Sequence, residues 1–232
     1  MSDDATSHRE RLRARELAAL PAWYNPWAHL GATTVICLTA VVAALVQLHG
    51  VTPWEWLTIP GVFLFSNAFE WHIHRNALHR RAPGLYYLYE RHTPMHHGVF
   101  THDTMVIRSA REMKLVLIPP LAVLAIVVLV APLSLGLRAL FSPNAGWLFL
   151  ATGSAYVLIY EYTHLAYHLP PASRIGRLPF MAALRRHHTA HHDPRLMQRW
   201  NFNVSFPIFD RILGTTAPSA AEAGKNPSAI VR

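Results

Sequence analysis

The sequence predicts an all-α integral membrane protein of about four transmembrane helices, with a cytoplasmic histidine-rich cap that holds a dimetal site. Three observations lead there. Hydrophobic residues make up 52% of the 232 and charged residues only 15%, a balance too apolar for an ordinary soluble domain. The apolar residues gather into four long runs separated by stretches that carry nearly all the arginines. Of the 16 histidines, 13 fall in the loops and helix ends on one side of those runs.

In chain order, residues 1–28 read as an N-terminal interfacial segment. Its opening acids and later arginines lack the apolar core of a signal peptide, so residues 9–20 are expected as an amphipathic helix on the membrane surface, anchored by Trp23, Tyr24 and Trp27. The run 29–50 has no charge and is long enough to cross about 30 Å of hydrocarbon. Residues 54–71 carry aromatics at both ends and acids only near their ends, which suits a return span. In 115–137, Pro119 and Pro120 are expected to kink a third span near its start. The fourth, 145–168, turns polar in its last two turns. Residues 29–214 form one catalytic body on this reading, and the small polar stretch 215–232 is expected to be a disordered tail.

The basic residues fix the orientation. Segments 1–28, 73–114 and 170–232 together hold 20 of the 21 lysines and arginines, which places both termini and the 73–114 loop in the cytoplasm. A net charge of +8 would also suit nucleic acid, but the arginines follow the loops and the aromatics follow the span ends, so no nucleic-acid partner is expected. The single Cys37 excludes a disulfide framework, a thiolate zinc site and an iron–sulfur cluster within the chain. A bound metal must then be held by His, Asp or Glu.

The histidines form four groups: His74 and His79; His92, His96 and His97; His164 and His168; His187, His188, His191 and His192. A lone histidine is usually a surface or satisfied core residue. Ten or more at ligand spacings, all at one mouth of a helical bundle, are a metal site instead. Neutral imidazole suits Zn, Cu, Fe and Ni, and so many donors exceed the needs of one ion, which points to two. His8, His29 and His49 stand apart as interfacial or surface residues, while His72, His102 and His187 stay open.

Written as H-x4-H, H-x3-H-H, H-x3-H and H-x2-H-H, these motifs resemble those of the fatty acid hydroxylase and sterol desaturase superfamily, membrane non-haem di-iron oxygenases. The resemblance covers about residues 54–214 and includes the stretch NFNVSFPIFDRILGT at 201–215. It implies a metal-ligand set of His74, His79, His92, His96, His97, His164, His168, His188, His191 and His192, leaving His187 outside. One departure stands out: three residues separate His92 from the His96–His97 pair, where fatty acyl and sterol enzymes typically have two.

The resemblance further implies two iron ions, O₂ as co-substrate, and hydroxylation or desaturation of a lipid C–H bond, the lipid being a fatty acyl chain, sterol or isoprenoid. Glu161, one turn before His164, and Asp193, directly after the last group, are the candidate catalytic residues, as partners that orient ligand imidazoles. With no dinucleotide fingerprint and no cluster cysteines, electrons must come from a separate reductase or carrier, which the cytoplasmic arginines could steer. The aromatics at 86–89 and residues 179–184 are expected as interfacial cover. The competing class, a non-enzymatic histidine-rich metal transporter or sensor, calls for ligands near mid-membrane, and the first and third spans have none in their interiors.

Overall fold

A computed structural model describes residues 3–218. All regular structure among them is helical: α1 (Asp3–Ala18), α2 (Pro26–Leu45), α3 (Thr58–Ile73), α4 (Tyr86–Glu90), the single turn α5 (His97–Val99), α6 (Pro120–Leu140), α7 (Pro143–His168), α8 (Pro179–His191) and α9 (Ile208–Ile212). Two π-helical turns, His74–Leu78 and Arg91–His96, interrupt this order.

The long helices begin where the sequence supplies caps. Asn25 accepts the N–H groups of Trp27 and Ala28 at 2.9 and 3.1 Å, with Pro26 in the first turn of α2. Ser142 accepts the N–H of Ala145 at 3.0 Å and donates to Glu55 at 2.6 Å, so it starts α7 and ties it to the turn before α3. Asn144 adds two bonds to the backbone of His49. Both short hairpin turns therefore sit together at one end of the bundle. α3 and α7 run from that end to His74 and His168 at the other.

α7 is the central helix, packed against α2, α3 and α6. Its approach to α6 is close because Gly146 has no side chain: a Cβ there would lie 2.5 Å from the Ser134 carbonyl. The outer faces are oily. Val35, Val42, Leu121, Leu129 and Leu140 are all exposed. The stretches Pro26–Leu45 and Ala110–Leu140 are long and apolar enough to cross a membrane, and only 22% of each apolar window is buried. Exposed apolar surface on this scale is that of a membrane protein.

Several elements differ from the sequence expectation. The second span starts with a 3₁₀ turn, Glu55–Leu57, and its α-helix has 16 residues. The double proline starts a helix: Pro119 is the N-cap and Pro120 the first residue of α6, a position where a missing N–H costs nothing. The helix expected at 9–20 runs from Asp3 to Ala18 and docks on the histidine end of the molecule. Its Arg13 is buried, bonds Glu112 at 2.6 Å and lies 5.3 Å over the ring of Phe100, while Glu10 takes both Arg108 amino groups at 2.7 Å. Trp23 and Trp27 are exposed, but Tyr24 bonds His29 at 3.0 Å. His29, expected at an interface or surface, is buried and bonded to the Ile118 carbonyl at 2.9 Å. At the C-terminal end, Thr215 is buried and the Ala217 N–H bonds Asn201, so the folded body continues past 214; residues 219–232 of the expected tail lie outside the described residues.

Candidate metal centre

The ten histidines of the expected ligand set are all buried, and they sort into two groups of five. His74, His79, His92, His97 and His191 form the first; His96, His164, His168, His188 and His192 form the second. Within each group one ring nitrogen of every residue lies within 4.8 Å of all the others. The groups abut, with the rings of His97 and His192 stacked 4.1 Å apart. The chain neighbours His96–His97 and His191–His192 each divide between the groups.

Helix geometry explains the sorting. In the second group His164 and His168, and His188 and His192, are four apart, the spacing that puts two side chains on one face of an α-helix. In the first group His74 and His79, and His92 and His97, are five apart. An α-helix would rotate such pairs away from each other, but here each spans a π-helical turn, closed by the His79 N–H on the His74 carbonyl and the His97 N–H on the His92 carbonyl. Pro94 lies in the second π turn and cannot donate the α-helical bond to residue 90. The extra residue between His92 and the His96–His97 pair is thus absorbed by a wider turn, and both members of the pair still reach a metal group.

The outer ring nitrogens reveal the proton positions. The Nδ1 atoms of His74 and His191 bond the carbonyls of Phe202 and Trp200, the latter at 2.9 Å. Those of His96, His168 and His192 bond the carbonyls of Leu115, Met105 and Phe100 at 2.9, 2.7 and 2.6 Å. A carbonyl only accepts, so each of these Nδ1 atoms carries the hydrogen. His79 joins them: its Nδ1 lies 3.1 Å from Thr93 Oγ1, whose own hydrogen goes to the Leu78 carbonyl at 2.7 Å. All six inner Nε2 atoms are therefore bare lone pairs.

Bare lone pairs should not face one another. Yet Nε2 of His79 lies 2.9 Å from Nε2 of His191 and 3.2 Å from that of His74. Such an arrangement is repulsive unless a cation sits among the nitrogens. Burial also pushes the imidazoles of His92, His97, His188 and His192 well below their usual range, and those of His96 and His191 to about 4, so they are neutral and ready to ligate at pH 7. The donor set fits metal ions that favour imidazole.

These shifts set a pH dependence. Unfolded histidine takes up a proton near pH 6.5, whereas buried His96 and His191 resist it until about 4. Stability of the metal-free protein is therefore expected to be full above about pH 6.5 and to fall as pH drops towards 4. Thermal unfolding of the chelated protein across that range checks this; a flat profile contradicts it.

The two expected carboxylate partners hydrogen-bond none of the ten clustered imidazoles. Glu161 is buried, and both its oxygens accept the N–H of Ile118, at 3.1 and 3.2 Å. It acts on the loop that carries the Leu115 carbonyl, and so on His96 at one remove. Asp193 is captured by Arg195 two residues on, through bonds of 2.5 to 3.2 Å. Of the open histidines, His72 is exposed, His102 pairs with Asp103, and His187 bonds Asp210 at 3.0 Å. Tyr86, Tyr87 and Phe180 of the expected aromatic cover are exposed.

Two polar residues missed by the sequence reading matter here, Thr93 and Glu70. Glu70, on α3, lies four residues before His74, about one turn, much as Glu161 lies three before His164. It holds the N–H groups of Val204 and Ser205 and the hydroxyls of Ser205 and Tyr156.

A profile described as fatty acid hydroxylase matches residues 59–215. Among solved structures, one titled full-length scs7p, with only its hydroxylase domain visible, superposes with a TM-score of 0.55 at 22% identity, covering 83% of this chain and 67% of that one. No curated protein matches the sequence. The family profile spans α3 to the Thr215 turn and takes in all ten clustered histidines, and on that ground the chain belongs to the fatty acid hydroxylase family.

Proposed function

We propose that the protein is a multi-pass membrane oxygenase that hydroxylates a C–H bond of a lipid, with two iron ions held by the two imidazole groups. The observation that carries this reading is the inward convergence of ring nitrogens from ten buried histidines in two groups, six of them fixed as bare lone pairs, an arrangement that two cations would satisfy. When bound, the irons would supply activation of O₂ and cleavage of an unactivated C–H bond, chemistry beyond the reach of side chains alone.

The chain's own share is positioning. Five carbonyls and Thr93 fix six imidazoles in one tautomer before any ion arrives, so little reorganisation is needed on binding. Complete burial of the groups keeps bulk water from the reacting site. α2, α3, α6 and α7 are read as four membrane passes, with the arginine-rich, histidine-bearing end in the cytoplasm and residues 29–214 as one catalytic body. A lipid would then reach the groups from the bilayer, while electrons come from a separate donor, since the one cysteine, Cys37, cannot hold an iron–sulfur cluster.

Lipid profiles of cells with and without the gene test the proposal. The expected result is a lipid that gains one oxygen atom only when the gene is present. A lipid that instead loses two hydrogens would mean desaturation, and an unchanged profile would overturn the enzymatic reading.

A further inference from the structure

The two groups of histidines differ in what orients them. In the second group the accepting carbonyls come from the loop between α5 and α6, at Phe100, Met105 and Leu115. In the first they come from Trp200 and Phe202, in a stretch with no helix or strand of its own. Asn201 between them takes a left-handed backbone, φ 58°, which turns the chain so that both flanking carbonyls meet the same group.

Side chains must hold such a stretch in place, and two carboxylates do most of this. Asp210 is buried and accepts the N–H groups of Phe202 and Asn203 at 2.9 and 2.8 Å, the hydroxyl of Thr215 at 2.7 Å and His187 at 3.0 Å. Glu70 accepts the N–H of Val204, the N–H of Ser205 at 3.0 Å, and the hydroxyls of Ser205 and Tyr156 at 2.5 Å each. Five consecutive residues, 201–205, are thereby pinned to α3, α7, α8 and α9, since Asn201 also bonds the His187 and Thr215 carbonyls.

We propose that Asp210 and Glu70 are positioning residues for the first metal position alone. By fixing the Trp200 and Phe202 carbonyls they set the tautomer and ring direction of His191 and His74, whereas the carbonyls that orient the second group, at Phe100, Met105 and Leu115, are held elsewhere, and the one link of Asp210 toward that group is to His187, which precedes His188. The proposal rests on the metal-binding reading above, and it adds that the two positions can be emptied independently.

The chemistry of each carboxylate makes the test specific. Asp210→Asn keeps the shape but turns an amide N–H₂ against donors that need an acceptor. Glu70→Met removes all four bonds. Glu70→Gln keeps an oxygen for the Val204 and Ser205 N–H groups and offers its amide to hydroxyls that can reverse, so it should behave as the native residue.

The experiment strips the purified full chain with a chelator, reloads it with Co²⁺ alone and counts cobalt per chain. Wild type and Glu70→Gln are expected to hold two ions; Asp210→Asn and Glu70→Met one, with affinity for the other lowered about 10- to 100-fold. Adding His168→Ala to Asp210→Asn should remove the remaining ion, whereas adding His79→Ala should leave it. If Asp210→Asn does not fold, Glu70→Met carries the same pair of comparisons. Two ions at native affinity in both variants, or loss of both ions from a folded variant, would overturn the proposal. A wild type that binds no cobalt would instead overturn the metal-binding reading itself.

Discussion

Replacing His188 or His191 by alanine is expected to remove one metal ion each and to abolish lipid oxidation, with metal affinity at the altered position down by more than about 100-fold. That figure is a lower bound, because losing only a hydrogen-bond partner of a ligand already costs roughly 10–100-fold. The two variants should also differ. His188 belongs to the second group and His191 to the first, although both sit on the last two turns of α8. Metal counts near one in both variants, with the double variant near none, would support the division. Unchanged metal content in either would remove that residue from its group.

Replacing Arg13 by methionine is expected to destabilise the protein by about 3–5 kcal/mol, the usual cost of leaving one member of a buried ion pair alone. The side chains of Arg13 and Glu112 are only 4% and 2% exposed, so solvent offers little relief to the carboxylate, which would keep only the Arg108 N–H at 3.1 Å. For a chain of this size the loss corresponds to a fall in unfolding midpoint of roughly 6–20 °C. Adding Glu112→Leu to Arg13→Met should restore most of it, since replacing both partners by apolar groups is often neutral. The same pair places α1 over Phe100, whose carbonyl orients His192, so the N-terminal helix also buttresses the second histidine group. A midpoint unchanged by Arg13→Met would show that the Arg13–Glu112 pair adds nothing to the fold.

How much of this was legible in the sequence depended on range. The histidine pairs on α7 and α8 could be read directly, because a spacing of four is an α-helical face. The first group was legible only as a set of histidines. Pairs five apart do not share an α-helical face, and the π turns that reunite them leave no composition signal beyond Pro94. For the same reason the division between groups was hidden: it separates chain neighbours and joins residues more than a hundred positions apart, such as His79 and His191.

Local chemistry misled the choice of carboxylates. Asp193 stands next to His192, but Arg195, two residues on, takes both its oxygens. Glu161 shares a helix with His164 and His168, yet the bare N–H of Ile118, left unpaired just before the double proline, claims it. The docking of α1 was out of reach because its partner, Glu112, lies 99 residues away. What the imidazoles use instead are mostly backbone carbonyls, which every residue owns and no sequence motif marks.

The central claim is that ten neutral imidazoles hold two irons, and iron-edge X-ray absorption on the reconstituted full chain, combined with an iron count, tests it most directly. The expected result is two irons per chain, each in a coordination shell dominated by imidazole nitrogen. One iron per chain, or a shell made mainly of carboxylate and water oxygen, would contradict it.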